Sequence, residues 1–126
     1  MALPPLIQLV DDSSLVTEAL GILLVETGHR VTTAASVREA IEVALADPPD
    51  VLLLDLTLPD GDGLDVLRAL TAEQRAPRAT VALTGHDDPA TEARCLAAGC
   101  RAVLGKPVKA ATLLAGIREW TGSDQR

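Results

Sequence analysis

The sequence predicts a doubly wound α/β domain in which five strands, each followed by a helix, occupy residues 1–126 as one domain. Three observations point there. Short runs of strand length alternate with segments of helical periodicity along the whole chain. The runs "VLLLD" and "TVALT" are apolar almost throughout, as expected of parallel strands covered on both faces. At 126 residues the chain suits a single domain whose core needs neither disulfides nor a structural metal.

The elements follow in order. "LIQLV" (6–10) is a short apolar run, and Ser13 and Ser14 after it are N-cap candidates. Val16, Leu20, Leu23 and Leu24 then recur at helical spacing until Gly28. "RVTTA" (30–34) is β-branched, and "SVRE" (36–39) is a capping box. That box opens a helix with Val37, Ala40, Ile41, Ala44 and Leu45 on one face, which "ADPPD" breaks. "VLLLD" (51–55) is the third strand, and Leu64, Leu67 and Leu70 mark the third helix beyond a loop. "TVALT" (80–84) is the fourth strand. Asp88 followed by Pro89 starts the fourth helix, and Gly99 closes it. "RAVLG" (101–105) is the fifth strand, and Leu113, Leu114, Ile117 and Trp120 lie on the fifth helix, 109–120. Right-handed crossovers leave few topologies for such a chain.

Composition excludes several functions. A net charge of -7, with "KPVK" the longest basic feature, argues against direct nucleic-acid binding. Trp120 is the only aromatic residue, so base stacking and aromatic cages have little to work with. No apolar run reaches the roughly 20 residues of a membrane span, and the N-terminus lacks the basic start of a secretory signal. Cys95 and Cys100 lack metal or redox spacing and read as buried thiols. These features suit a cytoplasmic protein.

Polar residues fall at the strand ends. The first strand runs into Asp11 and Asp12, the third ends on Asp55, the fourth on Thr84, and the fifth leads to Lys106. In open α/β sheets, ligands bind outside the carboxyl ends of the strands. If the strand order is 2-1-3-4-5, these residues share one crevice. Three carboxylates there repel one another unless a cation intervenes, and hard oxygen ligands suit Mg²⁺ together with a phosphoryl group. Any one aspartate alone reads as a solvated strand terminator or cap. The set together reads as a site.

Four stretches, "LVDDSS" (9–14), "DLTLPDGDG" (55–63), "ALTG" (82–85) and "GKPV" (105–108), resemble in order and spacing the receiver domain of two-component response regulators. The resemblance covers nearly the whole chain. It implies a flavodoxin-like or CheY-like fold with strand order 2-1-3-4-5. It implies that Asp55 accepts a phosphoryl group from a histidine of a sensor kinase or a histidine phosphotransfer protein. Asp11, Asp12, Asp55 and the backbone carbonyl of Thr57 would hold Mg²⁺, with Asp11 acting mostly through water. Lys106 would bridge Asp55 and the phosphoryl oxygens, and Thr84 would donate its hydroxyl to them. The resemblance further implies a cis Lys106–Pro107 bond, a small residue at Gly85, kinase docking on the first helix near Ser14, Leu15 and Glu18, and output to a downstream effector or missing output domain.

Two features depart from that pattern. Most receivers carry Tyr or Phe where this chain has Val103, so the usual threonine–aromatic coupling to the face of helix four, strand five and helix five lacks its ring. Helix four, mainly alanine with Cys95 and Leu96, is expected to pack weakly and move. His86 is either a solvated loop histidine or a residue that orients water for dephosphorylation, and His29 is a helix-end residue. Leu15 is either an exposed anchor or buried. A dehalogenase-type phosphatase wants an acid where Thr57 stands, and a flavin binder would have its phosphate repelled by Asp11 and Asp12. The alternative that remains is a receiver-fold scaffold working without phosphorylation.

Overall fold

The structure is a computed structural model describing residues 3–85 and 88–122. Its elements are β1 (Leu6–Val10), α1 (Ser14–Glu26), β2 (Arg30–Ala34), α2 (Val37–Ala46), β3 (Val51–Asp55), β4 (Thr57–Leu58), β5 (Gly61–Asp62), α3 (Leu64–Ala72), β6 (Ala79–Thr84), α4 (Pro89–Ala97), β7 (Ala102–Gly105) and α5 (Ala110–Trp120). Five strands form one parallel sheet in the order β2-β1-β3-β6-β7. With the small β4–β5 pair set aside, this is the predicted 2-1-3-4-5 order. The fold is therefore the doubly wound α/β arrangement read from the sequence, with the strand order that the resemblance implied.

Alternation along β3 divides the core in two. Leu52 and Leu54 face one layer with Ala40, Leu64, Leu67, Leu70 and Cys95. Val51 and Leu53 face the other with Leu20, Leu24, Leu113, Ile117 and Trp120. Each fully buried leucine contributes roughly 2 kcal/mol of transfer free energy. Truncating Leu53 to Ala would therefore cost about 2–5 kcal/mol once the cavity is included. Polar side chains are buried in the sheet too: Gln8, wholly buried in β1, donates from Nε2 to the Ala40 carbonyl at 3.0 Å. Its Oε1 and the hydroxyl of Thr32, its register partner on β2, are buried with no hydrogen-bond partner among the described residues.

Helix starts follow local chemistry. Of the two serine candidates, Ser13 caps α1, accepting from the Val16 N–H at 3.4 Å. Ser36 accepts from Glu39 N–H at 3.1 Å, while the Glu39 carboxylate reaches back to Ala35 N–H at 2.6 Å, one residue beyond the usual capping-box partner. Asp88 caps α4 through Thr91 N–H at 2.7 Å with Pro89 in the first turn, and Gly99, at φ +109°, follows its C-terminus. Strand limits shift slightly: β6 begins at Ala79 and β7 at Ala102. The stretch read only as a loop contains the β4–β5 hairpin, pairing Thr57 with Asp62 and Leu58 with Gly61.

Cys95 and Cys100 are both buried free thiols beneath α4, as read from the sequence. Leu15 is exposed (79%), which settles the question the sequence left open, and Ile22 and Val25 are also exposed along α1. Trp120 ends α5 near the starts of β6 and β7, at the opposite end of the strands from Asp55. Its ring lies against Gly116, leaving no room for a side chain there, beside Arg78 and Arg101. His29 closes α1, its Nδ1 3.2 Å from the Leu24 carbonyl. Among the described residues no helix is long and apolar enough to cross a membrane.

Candidate functional site

The site forms where β1, β3, β6 and β7 end. Register places Val10 beside Leu54, Asp55 beside Leu83, and Thr84 beside Gly105, so the predicted residues leave the sheet at neighbouring points. Asp11 extends β1 by donating its N–H to Ala34 O at 3.0 Å, and its carboxylate accepts from Ser13 N–H at 2.9 Å. Asp11 and Asp55 are buried and Asp12 is exposed, and each offers a carboxylate oxygen within 4.8 Å of the others. Such a set of hard oxygen donors, open on the Asp12 side, fits a divalent cation of the Mg²⁺ kind.

Lys106 supplies the positive charge within the protein. Its Nζ lies 2.6 Å from Asp11 Oδ2 and 3.4 Å from Asp55 Oδ1. The resemblance led us to expect a bridge centred on Asp55; the ammonium sits closer to Asp11, the more deeply buried of the two side chains. A buried carboxylate without a close counter-charge is the costlier one to leave. Burial raises the pKa of Asp55, opposed by the Thr57 N–H, which donates to Oδ1 at 3.3 Å, and by Lys106; the Asp11 charge adds to the rise. For Lys106, burial would lower the pKa, but hydrogen bonding to Asp11 and the charges of Asp55 and Asp11 together raise it. The ammonium is therefore held firmly charged.

Thr84 is buried at the end of β6, and its carbonyl accepts from Lys106 N–H at 2.8 Å. The Lys106–Pro107 bond is cis. Among the described residues nothing lies within 4 Å of where a side chain at Gly85 would begin. Thr57 is exposed at the start of β4. His86 lies outside the described residues.

Sequence reasoning missed the anchoring of the hairpin. Asp60, at its tip, accepts from Val37 N–H at 2.7 Å and Arg38 N–H at 3.0 Å, capping α2 from 23 and 22 residues away. These two bonds hold the Asp60 carboxyl below its ordinary pKa. Asp62 accepts from Leu64 N–H at 2.9 Å and from Arg94 of α4 at 2.6 Å. Burial acts to raise its pKa, yet these bonds and the arginine charges outweigh it and lower the value. The only available signal was the two aspartates in "LPDGDG", which turn composition alone explains. Gly63 then folds back so tightly that any side chain would collide with the Asp55 carbonyl, and its N–H donates to Leu56 O at 2.8 Å.

The same fold recurs in known proteins. The family described as "Response regulator receiver domain" matches residues 7–118. The transcriptional regulatory protein KdpE of Mycobacterium tuberculosis is 35% identical over 113 residues, covering 90% of this chain and 49% of that protein. The chain thus spans about half the length of this curated relative. Among solved structures, the signal receiver domain of a LuxO repressor protein of Vibrio parahaemolyticus superposes with TM-score 0.89 at 23% identity, covering 98% of this chain and 94% of that one. Chemotaxis protein CheY4 of Vibrio cholerae gives TM-score 0.87 at 27% identity, covering 94% and 98%. A family match across most of the chain joins the fold and the acidic cluster in one conclusion: this chain belongs to the response regulator receiver domain family.

Proposed function

We propose that residues 1–126 work as one receiver unit in which Asp55 takes a phosphoryl group from a histidine of a sensor kinase or phosphotransfer protein. The observation that carries this reading is the placement of Asp55: buried at a rigid strand end, 3.4 Å from the Lys106 ammonium and grouped with Asp11 and Asp12. A carboxylate oxygen of Asp55 forms the new O–P bond as the P–N bond of the donor breaks. The electron pair of that bond returns to the imidazole nitrogen, which takes up a proton. Lys106 follows the charge as it moves onto the phosphoryl oxygens, and the Thr84 hydroxyl donates to one of them. Mg²⁺ held by Asp11, Asp12, Asp55 and the Thr57 carbonyl would supply the remaining charge neutralisation. The domain catalyses only its own phosphorylation and dephosphorylation.

The added charge shifts a two-state equilibrium at the face of α4, β7 and α5. Output passes to an effector or an adjoining output domain, in keeping with the half-length match to a transcriptional regulatory protein. The setting is cytoplasmic, without membrane insertion or direct nucleic-acid contact by this domain. Intact mass after incubation with acetyl phosphate and Mg²⁺ tests the chemistry. One adduct of about 80 Da, absent from Asp55→Asn and in EDTA, is expected. No adduct despite Mg²⁺ binding would overturn it in favour of a scaffold that is recognised unmodified.

A further inference from the structure

We infer that the Asp62–Arg94 ion pair couples the hairpin beside Asp55 to helix α4, so that displacement of either one moves the other. The links are contiguous. Thr57 N–H holds Asp55 Oδ1, Thr57 pairs with Asp62 across the hairpin, and Asp62 Oδ2 accepts from Arg94 Nη1 at 2.6 Å. Gly63, next to Asp62, is pressed against the Asp55 carbonyl, so the hairpin's end cannot shift independently of the strand end. On the far side, α4 buries only Cys95, the residue next to Arg94. A helix so lightly held responds to a contact of modest strength. The chain has no Tyr or Phe, so β7 offers no ring to make the connection instead.

Both partners are partly exposed, at 45% and 35% for Arg94 and Asp62, which limits the pair to a small effect on any one equilibrium. A switch needs no more: up to about a fivefold shift in an opening equilibrium changes a signal without unfolding the domain. The coupling concerns the fold at rest. Only the event that drives it, phosphorylation of Asp55, rests on the function proposed above.

Hydrogen exchange read by mass spectrometry separates the two. Wild type, Arg94→Met and Arg94→Lys are compared, with Arg101→Met as control, because the Arg101–Glu119 pair is an exposed ion pair that joins the approach to β7 to α5. Arg94→Met is expected to speed exchange up to about fivefold in both 57–62 and 91–97, Arg94→Lys to restore part of it, and the control to change neither. Faster exchange in α4 with an unchanged hairpin, or no change in either, would overturn the coupling. In a second arm, acetyl phosphate and Mg²⁺ are added and the intact mass is recorded alongside. With the adduct formed in both proteins, exchange in α4 responds in wild type and not in Arg94→Met; an equal response overturns the coupling. An adduct missing from wild type counts against the phosphoacceptor reading, while the resting comparison still decides the coupling.

Discussion

The Lys106 ammonium lies 2.6 Å from Asp11 and 3.4 Å from Asp55, so a single cation within the protein serves two buried carboxylates at once. Lys106→Met would leave both facing each other and Asp12. The expected loss of stability in EDTA is about 2 kcal/mol, and Mg²⁺ should recover most of it by taking over the neutralisation. Urea unfolding with and without Mg²⁺ checks this. An equal loss in both conditions would count against charge as the cause.

Gln8 makes one hydrogen bond and leaves Oε1 buried without a partner. Replacing it by an apolar side chain of similar length removes a donor that is used and an acceptor that is not. Gln8→Met should therefore stay within about 1 kcal/mol of wild type, whereas Gln8→Ala should lose about 3 kcal/mol through the cavity. Chemical denaturation of both variants gives the comparison; equal large losses would mean that the amide oxygen is satisfied.

Asp60 gives a pH signature. Its folded pKa lies below the ordinary 3.8, because the Val37 and Arg38 N–H groups stabilise the charged form. Its contribution to stability is accordingly present above that value and fades as pH falls through the folded pKa. NMR titration of the Asp60 carboxyl should show a midpoint below 3.8 in wild type. The stability gap between wild type and Asp60→Asn should be flat near neutrality and close only in strong acid. A gap that closes near pH 6 would disprove the assignment.

The two cysteines should be inert in the native protein. Burial pushes both thiols up, Cys100 to about 12, so little thiolate forms at ordinary pH. An Ellman-type reagent at about pH 8 should react slowly with folded protein and rapidly in urea. By linkage, the native state loses stability as pH rises above the unfolded thiol value of 9.0. Prompt native-state labelling would contradict the burial.

Helix α4 buries Cys95 alone, while α5 buries Leu113, Ile117 and Trp120. Amides of α4 should therefore exchange markedly faster than those of α5. Equal protection would refute the expectation of a loosely held helix.

The site was legible because its residues mark the ends of strands that announce themselves by apolar runs. Asp11, Asp12, Asp55, Thr84 and Lys106 each follow such a run, and parallel topology does the rest. Pairings between distant residues were not legible. Nothing local tells that Asp60 caps α2, that Asp62 reaches Arg94, or that Lys106 lies nearer Asp11 than Asp55, because each depends on how packed layers meet. The β4–β5 hairpin escaped because two-residue strands carry no periodicity. Gln8 was hidden inside a run read as apolar. Leu15 could not be assigned from sequence because α1 is apolar on both its inner and outer faces, so the spacing does not choose between them.

Trp120 is the chain's only Trp, with no Tyr beside it, and it is stacked over Gly116 at the end of the strands remote from Asp55. All intrinsic near-ultraviolet fluorescence of this domain therefore originates in one ring, in the core layer with Leu113 and Ile117. Emission follows the melting of that layer with no second fluorophore to blur it. Cation or phosphoryl binding at the far end of the strands would register in the same light only by repacking the sheet between them, which makes the native protein its own detector of long-range change.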